Sequence, residues 1–110
     1  MTLSTHVLDA ALGRPAAGVE VALFAIAGDA RTEIARDITN ADGRIAGPFG
    51  GELQAGSYEF VFAAGAYFAK TGTPSFFDRI PVAFVIAPNA KHYHVPLLLA
   101  PWSYSTYRGS

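Results

Sequence analysis

The sequence predicts an all-β fold in which two β-sheets pack face to face as a sandwich. Apolar residues alternate with other residues in several short runs, for example at Val19, Val21 and Leu23. Turn-forming residues separate these runs at short intervals, which is typical of sandwiches and barrels. The chain has the usual size of one domain, and no linker or repeat divides residues 1–110, so we expect a single domain.

The first strand is expected near residues 3–8, where successive side chains point to opposite faces of the sheet. The better candidate for the core face carries Leu3, Thr5 and Val7, and the outer face carries Ser4, His6 and Leu8. One histidine is therefore predicted to point away from the core.

The middle of the chain predicts three further strands and one helix. The strands follow alternation at Val19, Val21, Leu23 and Ala25; at Tyr58, Phe60 and Phe62; and at Ile80, Val82, Phe84 and Ile86. Residues 63–70 are rich in alanine and lack alternation, which predicts a short helix. Turns are expected at residues 13–15, 40–43, 50–51, 72–74 and 88–89.

Residues 91–99 predict a strand with two histidines on one face. The core face carries Tyr93, Val95, Leu97 and Leu99, and the outer face carries His92, His94, Pro96 and Leu98. A solvated outer face normally carries Lys, Glu and Thr. Because Leu8, Pro96 and Leu98 are apolar, we expect another subunit to cover this face and to form a cleft around the histidines.

The closing segment continues the alternating pattern. Ser103, Ser105 and Tyr107 fall on one side, and Tyr104, Thr106 and Arg108 fall on the other. The two serines and Tyr107 are expected to line the same cleft as the histidines.

Composition argues against several classes of partner. The net charge is −1 and the eight Lys and Arg residues are scattered, so no basic stripe is available for nucleic acid. No apolar window approaches the ~18 residues that a membrane span needs. Cysteine is absent, which excludes disulfides and thiolate chemistry. The first residues lack a signal-peptide pattern, so we expect a cytoplasmic protein, or a periplasmic one if a signal peptide was removed.

The residues alone leave several chemical interpretations open. A strand histidine is more often structural than catalytic, and His92 is interpreted in this way. Arg44 follows a predicted turn and is, by itself, more often solvated than catalytic. A metal site formed by His6, His92 and His94 is the main rival within enzymes, although acidic ligands are not evident nearby. Ser105 lacks the context of a serine nucleophile. A small-ligand carrier or an adhesion module also fits a sandwich.

Three segments share their pattern with one known family. They are residues 3–9 (LSTHVLD), residues 42–44 (DGR), and residues 92–99 (HYHVPLLL) with the ending at residues 104–110 (YSTYRGS). Together they resemble the enzyme branch of the transthyretin family, the 5-hydroxyisourate hydrolases, and the Tyr-Arg-Gly-Ser ending is highly specific to this branch. The resemblance implies two packed four-stranded sheets with one short helix, and a homotetramer whose central channel holds the active sites.

The resemblance also implies a reaction and the residues that perform it. Members of this branch hydrolyse 5-hydroxyisourate to 2-oxo-4-hydroxy-4-carboxy-5-ureidoimidazoline in urate breakdown, without a metal or another cofactor. Matching the motifs assigns catalysis to His6, Arg44 and His94, and substrate binding to His6, Arg44, Tyr107 and Ser110. Water is expected to attack a ring amide, with a histidine as general base and Arg44 stabilising negative charge. The choice of base between the two histidines stays open, and His92 receives no comparable role.

The hormone-carrier branch of the same family has a similar fold but lacks the channel histidines, the arginine and the ending. A small-ligand carrier without catalysis is therefore the alternative that the resemblance keeps. One departure from the enzyme pattern is Ala100, where many members have a serine before Pro101. This change removes one local hydroxyl group and puts a hydrogen bond in doubt.

Overall fold

The computed structural model describes all 110 residues and contains two four-stranded sheets and one short helix. The elements in chain order are β1 (Thr2–Asp9), β2 (Arg14–Pro15), β3 (Glu20–Ala27), β4 (Ala30–Ile38), β5 (Gly56–Ala63), α1 (Ala64–Lys70), β6 (Arg79–Ile86), β7 (His92–Ala100) and β8 (Ser103–Thr106). The first sheet has the order β2-β1-β7-β8, and the second has the order β4-β3-β5-β6. The predicted sandwich is confirmed.

The two central strands of the first sheet present their predicted faces to the core. In β1, Leu3 and Val7 are fully buried, and in β7 the same is true of Leu97. β1 runs parallel to β7, whereas the other pairs of neighbouring strands are antiparallel. The outer face therefore carries the residues between the buried ones, including the histidines.

The second sheet supplies the aromatic part of the core. Phe60 of β5 lies at its centre, with its ring centroid 5.8 Å from that of Phe49 and 5.3 Å from that of Phe84. Phe62 is also fully buried. Fully burying a side chain of this kind stabilises the fold by about 1.5–3 kcal/mol, so these rings contribute much of the packing energy.

β4 is a strand that the sequence did not predict. Its nine residues are almost all exposed, so no apolar alternation marks it. It lies at the edge of the second sheet, where charged side chains discourage pairing with another chain. Arg36 forms ion pairs with Glu20 and Glu33 on this surface.

Asp9 ties the end of β1 to the helix. Its Oδ1 accepts hydrogen bonds from the N–H groups of Ala11 and Leu12, and its Oδ2 accepts one from the Tyr67 hydroxyl at 2.8 Å. The carboxylate is buried, and these three donors offset the cost of burying its charge. The helix predicted at residues 63–70 is confirmed and is fixed to β1 through Tyr67.

One predicted turn is wrong in its last two residues. Arg14 and Pro15 were expected in a turn, but they form the short edge strand β2, with Pro15 opposite Leu8. A proline is compatible with this position because an edge strand has one side without ladder partners. No helix of the chain is long and apolar enough to cross a membrane.

Candidate active site

The parallel pairing of β1 and β7 places the histidines on one face of the first sheet. His94 lies opposite Ser4, and His6 lies opposite Pro96. Residues directly opposite one another share a face, so His6 and His94 are diagonal neighbours. From the spacing of strands and residues, their Cα atoms are about 8 Å apart. Both side chains are half-buried on this outer face.

Arg44 reaches the same face from a distant turn. Arg44 forms an isolated β-bridge with His6. The carbonyl oxygen of the preceding Gly43 accepts a hydrogen bond at 2.8 Å from the N–H of Val7. Asn40 shapes the turn, because its Oδ1 accepts hydrogen bonds from the N–H groups of Asp42 and Arg44. The turn predicted at residues 40–43 is confirmed, and it brings Arg44 opposite His6 of β1.

Gly43 is required for the turn to approach β1 this closely. Its φ angle is +74°, a conformation that favours glycine. A Cβ atom at this position would lie 2.3 Å from the carbonyl oxygen of Val7. No other residue type fits without displacing the turn, and a displaced turn moves Arg44.

The hydrogen bond of His6 fixes where its ring carries hydrogen. Nε2 of His6 lies 2.8 Å from the backbone oxygen of Asp42. A carbonyl oxygen only accepts, so Nε2 must donate and neutral His6 must have its hydrogen there. The ring thus holds the turn that carries Arg44, and Nδ1 keeps a lone pair that can accept a hydrogen bond.

His94 is held from two sides. Its Nδ1 lies 2.8 Å from the hydroxyl oxygen of Ser4. On the other side, the N–H of Gly109 donates to the His94 carbonyl oxygen at 2.7 Å, and a Cβ at Gly109 would lie 2.8 Å from ring atom Cδ2. Nδ1 is therefore occupied, and Nε2 is the nitrogen left for a ligand.

The surroundings of His94 favour its neutral form. Burial lowers the pKa of the His94 imidazole below its usual value of 6.5, and the positive charge of Arg44 is the next cause. The neighbouring His6 and His92 lower the pKa of His94 further. A neutral imidazole near pH 7 retains a lone pair, so His94 is suited to accept a proton.

The C-terminal segment leaves the sheet at Pro96 and returns to it at His94. The β7–β8 ladder ends at Leu97 opposite Thr106, and an isolated bridge joins His94 to Gly109. Pro96 lies between these two contacts and has no N–H to donate, while its carbonyl oxygen accepts from the Thr106 hydroxyl at 2.7 Å. The proline thus interrupts the ladder and releases the residue that would lie opposite it.

Tyr107 is that released residue, and 57% of it is exposed. It lines a mainly apolar hollow of about 250 Å³ beside β6, together with Val82 and Tyr93. The guanidinium of Arg108 lies over the Tyr93 ring, 4.9 Å from its centroid, which anchors the tail on that side. Ser110 is exposed and directly follows the glycine that contacts His94. In the single chain, Tyr107 therefore lines a hollow that includes neither His6 nor His94.

His92 and Ser4 form contacts that the sequence did not reveal. Nδ1 of His92 lies 2.7 Å from the Thr2 hydroxyl oxygen, and Nε2 lies 3.0 Å from that of Ser4. Both nitrogens of His92 thus have hydroxyl partners. No group of three or more His, Asp or Glu side chains is arranged to hold a metal ion, so the alternative of a three-histidine metal site has no matching geometry.

The catalytic candidates lie on an open surface and not in a hollow. None of the four main hollows is lined by His6, Arg44 or His94. The largest, about 630 Å³, lies on the outer face of the second sheet, where Arg31 and Arg36 are ion-paired with glutamates. The groups suited to proton transfer are on the first sheet, so we place the site there despite the larger hollow.

Comparison with known proteins gives a consistent assignment. Residues 3–109 match the HIUase/Transthyretin family. A protein of Mesorhizobium japonicum named 5-hydroxyisourate hydrolase is 53% identical, and the match covers 98% of this chain and 91% of that protein. Relatives with the same name occur in several other bacteria.

Solved structures resemble the chain over nearly its whole length. The 5-hydroxyisourate hydrolase of Klebsiella pneumoniae is 44% identical, with a TM-score of 0.85 and complete coverage of both chains. Sea bream transthyretin, solved in complex with thyroxine, is 32% identical, with a TM-score of 0.91 and coverage of 99% of this chain and 95% of its own. The backbone is thus similar to that of both proteins, so the fold alone does not distinguish a hydrolase from a thyroxine-binding protein. The side chains of the site must make that distinction.

Proposed function

The chain belongs to the HIUase/transthyretin family, and we infer that it hydrolyses 5-hydroxyisourate, a reaction of purine catabolism. One observation carries this inference at the level of residues. His6, Arg44 and His94 come from three separate segments of the chain and meet on one face of the first sheet. A base beside a fixed cation is what hydrolysis of a ring amide requires.

We propose His94 as the general base. Its Nε2 has no partner in the protomer, and its pKa is held below the usual value by burial and by Arg44. Nε2 takes a proton from water as the oxygen attacks the ring carbonyl carbon C6. The C6–N1 bond then breaks and N1 takes the proton back from His94. C6 becomes a carboxyl group, which releases its proton to solvent and is then a carboxylate. General base catalysis of this kind contributes about 10²–10⁴ in rate.

Arg44 is proposed to bind the substrate and to stabilise the negative charge that develops on the C6 oxygen. Its planar guanidinium offers several N–H donors to a flat substrate rich in carbonyl groups. It forms no ion pair with an acidic side chain, so its donors are available. The turn at residues 40–43 and the bridge to His6 hold its backbone in place.

His6 is proposed to have a different role from His94. Its Nε2–H is used by the Asp42 carbonyl, so the ring helps to hold the turn that carries Arg44. Its free Nδ1 accepts a hydrogen bond from the attacking water or from the substrate. His6 thus orients groups and binds substrate, while His94 transfers the proton.

Tyr107 and Ser110 are proposed to complete substrate binding. Both side chains are exposed, and the tail that carries them is anchored to His94 through Gly109. A phenol and a hydroxyl provide both donors and acceptors for a polar ring. Because the hollow that Tyr107 lines does not include His94, we propose that a second protomer closes the site around the Tyr107 hydroxyl.

Assembly into a homotetramer is proposed for the same reason. A small ligand usually has most of its surface buried, but this site is an open sheet face. The half-buried Leu8 and Leu98 make that face partly apolar, which favours an apposed copy of the same face. Light scattering should give a molar mass close to four times 11.6 kDa. A monomer at working concentrations would contradict the assembly.

The decisive assay is the disappearance of freshly generated 5-hydroxyisourate, followed by its ultraviolet absorbance. We expect the protein to accelerate this decay well above the spontaneous rate, with saturation at high substrate concentration. Saturable binding without acceleration would instead favour a carrier, the alternative suggested by the similar transthyretin backbone. If the protein neither binds the substrate nor accelerates its decay, the proposed function is overturned.

A further inference from the structure

A line of hydroxyl and imidazole groups leads along the outer face of the first sheet to His94. Thr2 Oγ1 lies 2.7 Å from Nδ1 of His92, and Ser4 Oγ lies 3.0 Å from Nε2 of His92. Ser4 Oγ also lies 2.8 Å from Nδ1 of His94. The strand register creates this line, because Thr2 lies opposite His92 and Ser4 lies opposite His94. The proposed hydrolysis uses only one consequence of these contacts, namely that Nδ1 of His94 has a partner and Nε2 has none.

Ser4 couples the hydrogen positions of the two rings. Its hydroxyl has one hydrogen, so it donates to only one of the two neighbouring nitrogens. The other nitrogen must carry a hydrogen of its own and donate to the Ser4 oxygen. The tautomer of His94 is therefore linked through Ser4 to the tautomer of His92.

We propose that Ser4 is a positioning residue that fixes the hydrogen of His94 on Nδ1 and leaves Nε2 bare. In this arrangement His94 Nδ1–H donates to Ser4, Ser4 donates to His92 Nε2, and His92 Nδ1–H donates to Thr2. Every contact in the line then has one donor and one acceptor. The direction rests on the proposed function, because a general base acting through Nε2 needs that nitrogen unprotonated.

The contrast with His6 shows why this line matters. His6 donates to a carbonyl oxygen, which only accepts, so its tautomer is fixed absolutely. His94 faces a hydroxyl, which both donates and accepts, so its tautomer depends on what else the hydroxyl contacts. His92 is exposed and belongs to no substrate contact in the proposed mechanism, yet it supplies the acceptor that keeps the Ser4 hydrogen away from His94.

Nuclear magnetic resonance of ¹⁵N-labelled histidine tests the proposal directly, because the chain has only three histidines. In the wild type, Nδ1 of His94 should carry the hydrogen. In Ser4→Ala, part of the His94 population should shift to the Nε2–H tautomer. The value of kcat should fall about tenfold or more while KM changes little, because the base and not the binding surface is affected. Ser4→Thr keeps the hydroxyl and should restore both the tautomer and kcat.

Two substitutions at His92 distinguish an effect of these hydrogen bonds from a general effect on the structure. His92→Phe removes the acceptor, so the Ser4 hydroxyl turns its hydrogen to His94 Nδ1 and favours the inactive Nε2–H tautomer. His92→Gln keeps a side-chain acceptor and should retain most of the wild-type kcat. The two variants should have similar thermal stability, since residue 92 is exposed.

Two results would overturn the proposal. One is a wild-type His94 with its hydrogen on Nε2. The other is a Ser4→Ala variant that keeps both the Nδ1–H tautomer and the wild-type kcat. Because the tautomer is read without substrate, these results are distinct from failure of the proposed function, in which the wild type would not accelerate substrate decay at all.

Discussion

Gly109 lies directly against the imidazole of His94. Its N–H donates to the His94 carbonyl oxygen at 2.7 Å, and a Cβ at residue 109 would come within 2.8 Å of ring atom Cδ2. The backbone of Gly109 is not in the left-handed region, so close approach and not φ requires glycine here. The tail thus sets the position of the proposed base, in addition to carrying polar groups to the site.

Gly109→Ala should therefore impair catalysis more than folding. The added methyl group must displace either the tail or the His94 ring, and a displacement of about 1 Å can reduce the rate by about 10²-fold. We expect kcat/KM to fall by this order while the thermal unfolding midpoint stays near that of the wild type. A variant with unchanged kcat/KM would show that the contact does not position the base.

Gly43→Ala should destabilise the fold and displace Arg44. Alanine at φ +74° would be strained, and its Cβ would also clash with the Val7 carbonyl oxygen. We expect a loss of roughly 3 kcal/mol in urea-induced unfolding. Gly47→Ala is the matched control, because Gly47 has φ +69° but open space around its Cβ position. Its loss should be about 1 kcal/mol, and equal losses for the two variants would contradict the proposed clash.

The charge of Arg44 should be detectable in the titration of His94. Since burial and Arg44 lower the pKa of His94 below 6.5, kcat/KM should fall as the pH decreases, with a midpoint below 6.5. Arg44→Gln removes one of these causes, so the pKa of His94 should rise towards its usual value. Nuclear magnetic resonance titration measures this shift, and Arg31→Gln on the other sheet provides a control. An unchanged His94 midpoint in Arg44→Gln would contradict the account.

The hydrogen bond from Tyr67 to Asp9 should contribute to stability up to high pH. Tyr67→Phe removes one of three donors to a buried carboxylate, which should cost about 1.5–3 kcal/mol. Burial and Asp9 raise the pKa of Tyr67 to about 12 from its usual 10. The folded state thus favours protonated Tyr67, and this contribution is lost as pH rises from 10 to 12. The stability difference between wild type and Tyr67→Phe should narrow over that interval. A difference that stays constant would argue against the raised pKa.

Sequence periodicity predicted much of the framework of this site. Alternation placed Leu3 and Val7 in the core, and it correctly left His6 and His94 on outer faces. It did not predict β4, because an edge strand exposed on both faces has no apolar alternation to detect. Periodicity detects a strand only when the strand buries one face, so it does not detect a strand that buries few residues.

The contacts between strands were beyond the reach of one sequence. Ser4 was predicted on the same kind of face as the histidines, but nothing in the pattern indicates that β1 and β7 are parallel neighbours in this register. The departure of Tyr107 from the sheet was also not predicted. Its signal was Pro96, since a proline in the middle of a paired strand marks a break in the ladder.

The most direct measurement is the initial rate of 5-hydroxyisourate decay with wild type, His94→Gln and Arg31→Gln at equal protein concentration. Removing the proposed base should reduce kcat by about 10²–10⁴. Arg31→Gln alters an ion pair on the opposite sheet and should keep the wild-type rate. A folded His94→Gln protein that retained the full wild-type rate would contradict the claim that catalysis occurs at this sheet face.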